Sequence, residues 1–326
     1  MKHDVLCLRP EADFLQAGVT PPAGLSIAYR APDDPDLANL MKQARALVIP
    51  AVGPKLDPGL FEGSAIALVQ VTGAGVDRLD AAALKQLGVA VCNVVGGSSR
   101  AVAEYALAAA LMLLRRFAWA DAEIRAGNYK TFRARMVEDS LRGLRGLKIG
   151  IVGFGNIGQA VAQAFRQMGG EILYYDPATI DAQAAAALDA TPMKLDELLA
   201  ASDVVTLHVP LVEQTRGLIG AAELARMKPD AILVNAARGG VVDEAALAAA
   251  LATGRLGGAA LDVHENEPPA DSNPLFALDG EAARRVLFTP HIAGVTRQSW
   301  ATLFNQAWGN VEGVVLRGEP PRCRVY

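Results

Sequence analysis

The stretch Lys148-Ile149-Gly150-Ile151-Val152-Gly153-Phe154-Gly155-Asn156-Ile157-Gly158 decides the fold. Its first five residues form an apolar, β-branched run that reads as a buried strand. The last six form G-x-G-x-x-G, and an Ala-rich stretch to Met168 reads as a helix. Strand, glycine turn and helix in that order are the dinucleotide-binding fingerprint. Gly153 permits the tight turn, Gly155 lets backbone approach a pyrophosphate, and Gly158 lets the helix close on the sheet. The pyrophosphate then meets unpaired N–H groups and the positive end of a helix dipole. The next strand, Glu171–Tyr175, ends at Asp176, eighteen residues past Gly158. A carboxylate there accepts both ribose hydroxyls and repels a 2′-phosphate, and Pro177–Asp181 offers no Arg to receive one. The expected cofactor is NAD rather than NADP.

Working outward, similar runs recur at Val5–Leu8, Ala46–Ile49, Ile66–Val71, Val89–Val94, Val204–His208, Ala231–Asn235, Gly258–Asp262 and Val286–Thr289. Helical stretches such as Asp36–Ala44, Ala81–Leu87 and Glu244–Ala252 lie between them. The alternation predicts the α/β class with parallel sheets covered on both faces. Ten strands are better divided between two sheets than held in one. Two Rossmann-like domains are expected. A discontinuous substrate domain spans 1–98 and 297–326, and an inserted NAD-binding domain spans 99–296. A long helix over Arg100–Ala126 and an Arg-rich link, Arg133–Arg145, mark the boundary, and the helix Arg297–Leu316 should return to the first domain.

The 326 residues are 52% hydrophobic and 20% charged, with net charge −4, which excludes a disordered chain and removes the electrostatic footprint of a nucleic-acid or anionic-membrane binder. Cys7, Cys92 and Cys323 are too scattered for a disulfide framework or zinc cluster, so no metal is expected and a cytoplasmic setting is. Met1–Pro10 reads as a first strand rather than a leader. Ala101–Leu114 is shorter than the ~20 residues a bilayer span needs, so no membrane partner is expected.

Hydride transfer to a carbonyl needs a proton donor and a group to polarise the oxygen. Of four histidines, His3 is terminal, His208 follows a strand near the cofactor, and His264 faces solvent or the cleft wall. His291, in Thr289-Pro290-His291-Ile292-Ala293-Gly294, stands at a strand's carboxyl end, where ligands bind in such sheets. Arg238, in Asn235-Ala236-Ala237-Arg238-Gly239-Gly240, and the acids of Asp262–Pro268 follow two other strands. A carboxylate beside His291 would hold its tautomer; spacing does not choose between Glu265 and Glu267.

These motifs, with Val71–Asp77 and Val102-Ala103-Glu104, resemble the D-isomer-specific 2-hydroxyacid dehydrogenases over essentially the whole chain. The resemblance implies a catalytic set of Arg238, Glu267 and His291. It implies that Asn156, Ile157, Asp176, Val209, Ala236, Ala237, Asp262 and His291 to Gly294, including Ala293, line the NAD site, to which the chain reading adds Gly153, Gly155, Gly158, His208, Pro210 and Arg238. It further implies that backbone amides of Thr72, Gly73, Ala74, Gly75 and Val76 hold the substrate carboxylate together with Arg238 and His291. The expected activity is hydride transfer between NAD(H) and a small, D-specific 2-hydroxy/2-keto acid, in a homodimer formed through the 100–126 helix and the 128–145 arm.

Phosphoglycerate is the less favoured substrate, because Pro50-Ala51-Val52-Gly53 lacks the phosphate-binding Arg of relatives that use it; Arg78 or Arg100 are the candidates to replace that charge. Glyoxylate or hydroxypyruvate fits better. Phosphite oxidation and a non-catalytic, NAD-sensing corepressor are the rival readings.

Overall fold

The computed structural model describes residues 3–326. The chain forms two compact units, one comprising the described residues up to Ser98 together with Val295–Tyr326, the other Ser99–Gly294.

In the first unit, β1 (Val5–Cys7), β2 (Ile27–Tyr29), β3 (Ala46–Ile49), β4 (Leu68–Val71) and β5 (Ala90–Cys92) form a parallel sheet in the order β2-β1-β3-β4-β5. Side chains alternate across it. Val5, Cys7, Ala46, Val48 and Leu68 face a layer with Phe14, Phe304 and Trp308, whereas Leu6, Leu47, Ile49, Val69 and Val71 face Met41, Phe61 and Leu84. Both faces are buried, which is why these strands read as unbroken apolar runs. Phe304 and Trp308 come from the helix Arg297–Arg317, which packs within this unit.

The second unit holds β6 (Lys148–Val152), β7 (Glu171–Tyr175), β8 (Thr191–Pro192), β9 (Val204–Leu207), β10 (Ile232–Asn235), β11 (Gly258–Leu261) and β12 (Val286–Phe288). Their order is β12-β11-β10-β9-β6-β7-β8, all parallel. The chain leaves β6 toward β7 and β8, then crosses to β9 on its other side. In open sheets of this kind ligands bind at that reversal, outside the carboxyl ends of the strands, here β6 and β9. One face packs on the helices Ser99–Leu114 and Asn156–Gln167, the other on Leu224, Leu247 and Leu251. Ala103, Ala106, Ala109 and Ala110 give the first of those helices a thin face that lets it lie close to its neighbour.

Three expectations are corrected. Among the described residues there are twelve strands rather than ten, because β2 and the two-residue β8 are edge strands too short to stand out as apolar runs. The helix expected over Arg100–Ala126 is two, Ser99–Leu114 and Phe117–Arg125, broken at Arg116, whose φ is 52°. There the chain turns to bury Trp119 against Phe132, and the Arg116 guanidinium pairs with Asp139 and covers the Trp119 ring. His264 does not face solvent, being 6% exposed.

Candidate NAD-binding and proton-transfer site

The glycine loop follows β6 and caps the helix Asn156–Gln167 at Gly155. Gly153 has φ 93°, and a Cβ there would lie 2.7 Å from the His208 carbonyl carbon. At Gly158 a Cβ would lie 2.1 Å from the Gly153 oxygen, so this glycine lets the helix close on its own loop. At Gly155 a Cβ would meet nothing within 4 Å. Two glycines are thus required by the protein's own backbone, whereas the third leaves open space at the helix N-terminus beside Asn156 and Ile157, where an anion fits.

Asp176 follows β7 directly. Its Oδ2 accepts the Phe154 N–H at 2.6 Å and its Oδ1 the Ala178 N–H at 2.8 Å, which fixes the carboxylate beside the loop. These residues fit the adenosine half of NAD. Replacing Asp176 by Ala should raise the ratio of kcat/KM for NADPH to that for NADH. A wild-type protein that already prefers NADPH would contradict this assignment.

His208 follows β9. Its Nε2 lies 2.8 Å from the Thr206 hydroxyl, and its enclosed Nδ1 has no hydrogen-bond partner. Burial pushes the imidazole down to about 3, so it is neutral near pH 7 and unsuited to donating a proton. Val209 is buried and Pro210 exposed.

Three adjacent strands supply the remaining groups. Beyond β10, Asn235 Oδ1 accepts the Ala237 N–H at 3.1 Å and its Nδ2 donates to the Arg238 carbonyl at 3.1 Å, which shapes the 235–238 turn. Arg238 donates through Nη1 to the Ala237 carbonyl at 2.7 Å, and Ala236 lies in the same turn. A Cβ on Gly239 would lie 1.7 Å from the His264 oxygen, so this glycine lets the turn after β10 press against the loop after β11.

In that second loop, Glu267 Oε1 accepts the His264 N–H at 3.1 Å and Oε2 lies 2.8 Å from His291 Nδ1. Glu267 rather than Glu265 is therefore the partner of His291, and their side chains are 29% and 24% exposed. Burial pushes the Glu267 carboxyl up, but its bonds to His291 and the His264 amide pull it further down, so it stays ionised at neutral pH. With Nδ1 held by a carboxylate, His291 keeps Nε2 for a reacting oxygen.

Asp262 is 1% exposed, and its carboxylate accepts the Ile292 and Ala293 N–H groups at 2.8 and 2.7 Å. Its side chain thus clamps the His291–Gly294 segment. The sequence reading missed Glu244, whose carboxylate accepts the Glu265 N–H at 3.0 Å and the Asn273 amide at 2.6 Å and so holds the loop before Glu267. An acid directly after the helix-capping Asp243 looks like ordinary first-turn charge, which hid it.

In the other unit, Thr72–Val76 follows β4. The Gly73 and Ala74 carbonyls accept from the Val94 N–H at 2.9 Å and the Asn93 amide at 2.7 Å, and a Cβ on Gly73 would lie 2.9 Å from the Ala51 Cβ. Arg78 is 4% exposed and donates to the Pro50, Val52 and Pro54 carbonyls. Arg100 is exposed, near Glu104. Arg78 Nε and Nη1 hold the 50–54 loop and the side chain is buried, its Nη2 without a hydrogen-bond partner, so it is a poor substitute for an exposed phosphate-binding Arg. Among the described residues, no helix is long and apolar enough to cross a membrane, and no group of three or more His, Cys, Asp or Glu is placed to hold a metal ion.

Residues 107–293 match the family model described as "D-isomer specific 2-hydroxyacid dehydrogenase, NAD binding domain". The chain is 39% identical over 234 residues to a D-3-phosphoglycerate dehydrogenase of Archaeoglobus fulgidus, a match covering 72% of this chain and 42% of that protein. It is 35% identical over 269 residues to a hydroxypyruvate reductase of Thermotoga maritima, covering 81% of this chain and 82% of that one. The solved D-lactate dehydrogenase of Aquifex aeolicus, complexed with NAD and lactic acid, superposes with TM-score 0.83 at 26% identity, covering 98% of both chains. The chain spans about half the length of the curated phosphoglycerate dehydrogenases it matches.

Proposed function

Because the chain belongs to the D-isomer specific 2-hydroxyacid dehydrogenase family, we propose that it transfers hydride reversibly between NAD(H) and a small, unphosphorylated D-2-hydroxy/2-keto acid such as glyoxylate or hydroxypyruvate. The observation that carries the reading is the 2.8 Å contact of His291 Nδ1 with Glu267, beside the Arg238 turn and in the same unit as the glycine loop.

The glycine loop and Asp176 would hold NAD(H), which would supply or accept the hydride. Arg238 binds the substrate carboxylate and polarises the keto oxygen, a planar two-point role that Lys does not copy. His291 donates a proton from Nε2 to the oxygen during reduction and takes it back during oxidation, while Glu267 fixes the ring. The amides of Thr72–Val76 are assigned to the carboxylate on the family match.

The preference for an unphosphorylated acid is supported by the commitment of Arg78 to three backbone carbonyls. Steady-state turnover of a 2-keto-acid panel with NADH tests the reading. Glyoxylate or hydroxypyruvate should be reduced with the highest kcat/KM. A preference for phosphohydroxypyruvate would overturn the substrate assignment, and no turnover of any keto acid would overturn the activity.

A cytoplasmic homodimer completes the proposal. Phe117, Ile124, Tyr129 and Val137, on the helices Phe117–Arg125 and Tyr129–Glu138, are 46–66% exposed, an apolar surface suited to a second copy. Light scattering at micromolar concentration should give twice the chain mass; a monomer would contradict it.

A further inference from the structure

The segment that carries His291 is fastened by more than Glu267. His291 has φ 55°, a left-handed conformation that a non-glycine residue keeps only where its surroundings enforce it. Its N–H donates to the Asp262 carbonyl at 2.7 Å. The Asp262 side chain holds residues on both sides of it, taking the Ile292 and Ala293 amides after it and the Thr289 hydroxyl, at 2.6 Å, before it. A carboxylate only accepts, so Thr289 spends its single hydroxyl proton on Asp262. Tyr105, whose hydroxyl lies 2.7 Å from Thr289 Oγ1, must then be the donor in that contact. The hydrogen bonds run one way, from Tyr105 to Thr289 to Asp262. Tyr105 stands on the helix Ser99–Leu114, which packs on β10, β11 and β12. Burial pushes its phenol up to about 12, so the donor keeps its proton across the neutral range.

We propose that Tyr105 and Thr289 are positioning residues for the proton donor, the chain Tyr105–Thr289–Asp262 fixing the 289–293 backbone and with it the direction of the His291 ring. Asp262 is buried, and a buried carboxylate that loses one donor is left to be satisfied by those that remain. Those remaining donors are the two amides next to His291, so the disturbance passes straight to the ring.

The activity arm of the test rests on the proposed dehydrogenase reading; a spectroscopic arm does not. Thr289→Val keeps the side-chain shape and removes the hydroxyl. With NADH and the best keto acid of the panel, it should lower kcat by roughly 10- to 100-fold, because small misplacements of a reacting group are costly. KM for NADH and for the keto acid should change less than about twofold if binding is untouched. Thr289→Ser should restore most of kcat. Tyr105→Phe should give a smaller loss, and adding it to Thr289→Val should cost little more, since both break one chain. In NMR spectra of the imidazole nitrogens, the His291 signal, identified by its loss in His291→Gln, should shift in Thr289→Val and Tyr105→Phe and return in Thr289→Ser. Unchanged His291 signals in both variants would overturn the proposal, as would additive losses of kcat or failure of Thr289→Ser to rescue. If the wild-type protein reduces no keto acid, the functional reading fails, and the NMR arm alone decides the positioning.

Discussion

Replacing His291 by Ala should lower the rate of the proposed NADH-dependent keto-acid reduction by about 10²–10⁴-fold, the usual cost of losing a general acid. The expectation follows from elimination as well as geometry. His208 is held neutral by burial, and His264 is buried, its backbone N–H committed to Glu267. Among the described residues, only His291 combines a partly exposed ring with a carboxylate at 2.8 Å. Binding of NADH, followed by its fluorescence, should survive the change, because the glycine loop and Asp176 are untouched. The companion variant Glu267→Gln replaces the ionised carboxylate that holds His291 Nδ1 by a neutral amide, so kcat for reduction should fall while NADH binding is kept. Full activity in His291→Ala, or an unchanged kcat in Glu267→Gln with chemistry rate-limiting, would remove the pair from the mechanism.

Arg238→Lys is the second large effect. The guanidinium already donates to the Ala237 carbonyl, which fixes the direction of its planar fork. Lysine keeps the charge but offers a point donor, so it cannot bridge carboxylate and keto oxygen together. Losing one such preorganised donor costs about 10²–10³-fold in kcat. KM for the keto acid should rise as well, since the same fork is assigned to the carboxylate. Wild-type constants in Arg238→Lys would show that charge alone suffices and would undo the bridging role.

The sheet architecture was legible because most strands are buried on both faces and therefore appear as apolar runs between breakers. β2 and β8 were not, since three- and two-residue edge strands carry no such pattern. The break at Arg116 had no Gly or Pro to announce it; it comes from burying Trp119, a tertiary event. At the site, the glycine loop could be read because its spacing is a local rule. The choice of Glu267 over Glu265 could not be read from spacing, because it depends on how the loop after β11 is pressed by Gly239 and tied by Glu244. Tyr105 and Thr289 lie 184 residues apart, and only the packing of a helix on a sheet brings their hydroxyls together.

The carboxylate of Asp176 is a strut as well as a recognition group, since it carries the Phe154 amide inside the glycine loop. Any redesign toward phosphorylated nicotinamide cofactors therefore faces a trade-off at a single side chain. Deleting the charge also lets go of the loop, so Ala would trade catalytic efficiency for tolerance. Asn keeps an acceptor for Phe154 while removing the repulsion, and a neighbouring Arg at Ala178 or Thr179 could then supply attraction. A cofactor switch along this lineage accordingly has an ordered route, with loop support retained at the first step and new charge added at the second.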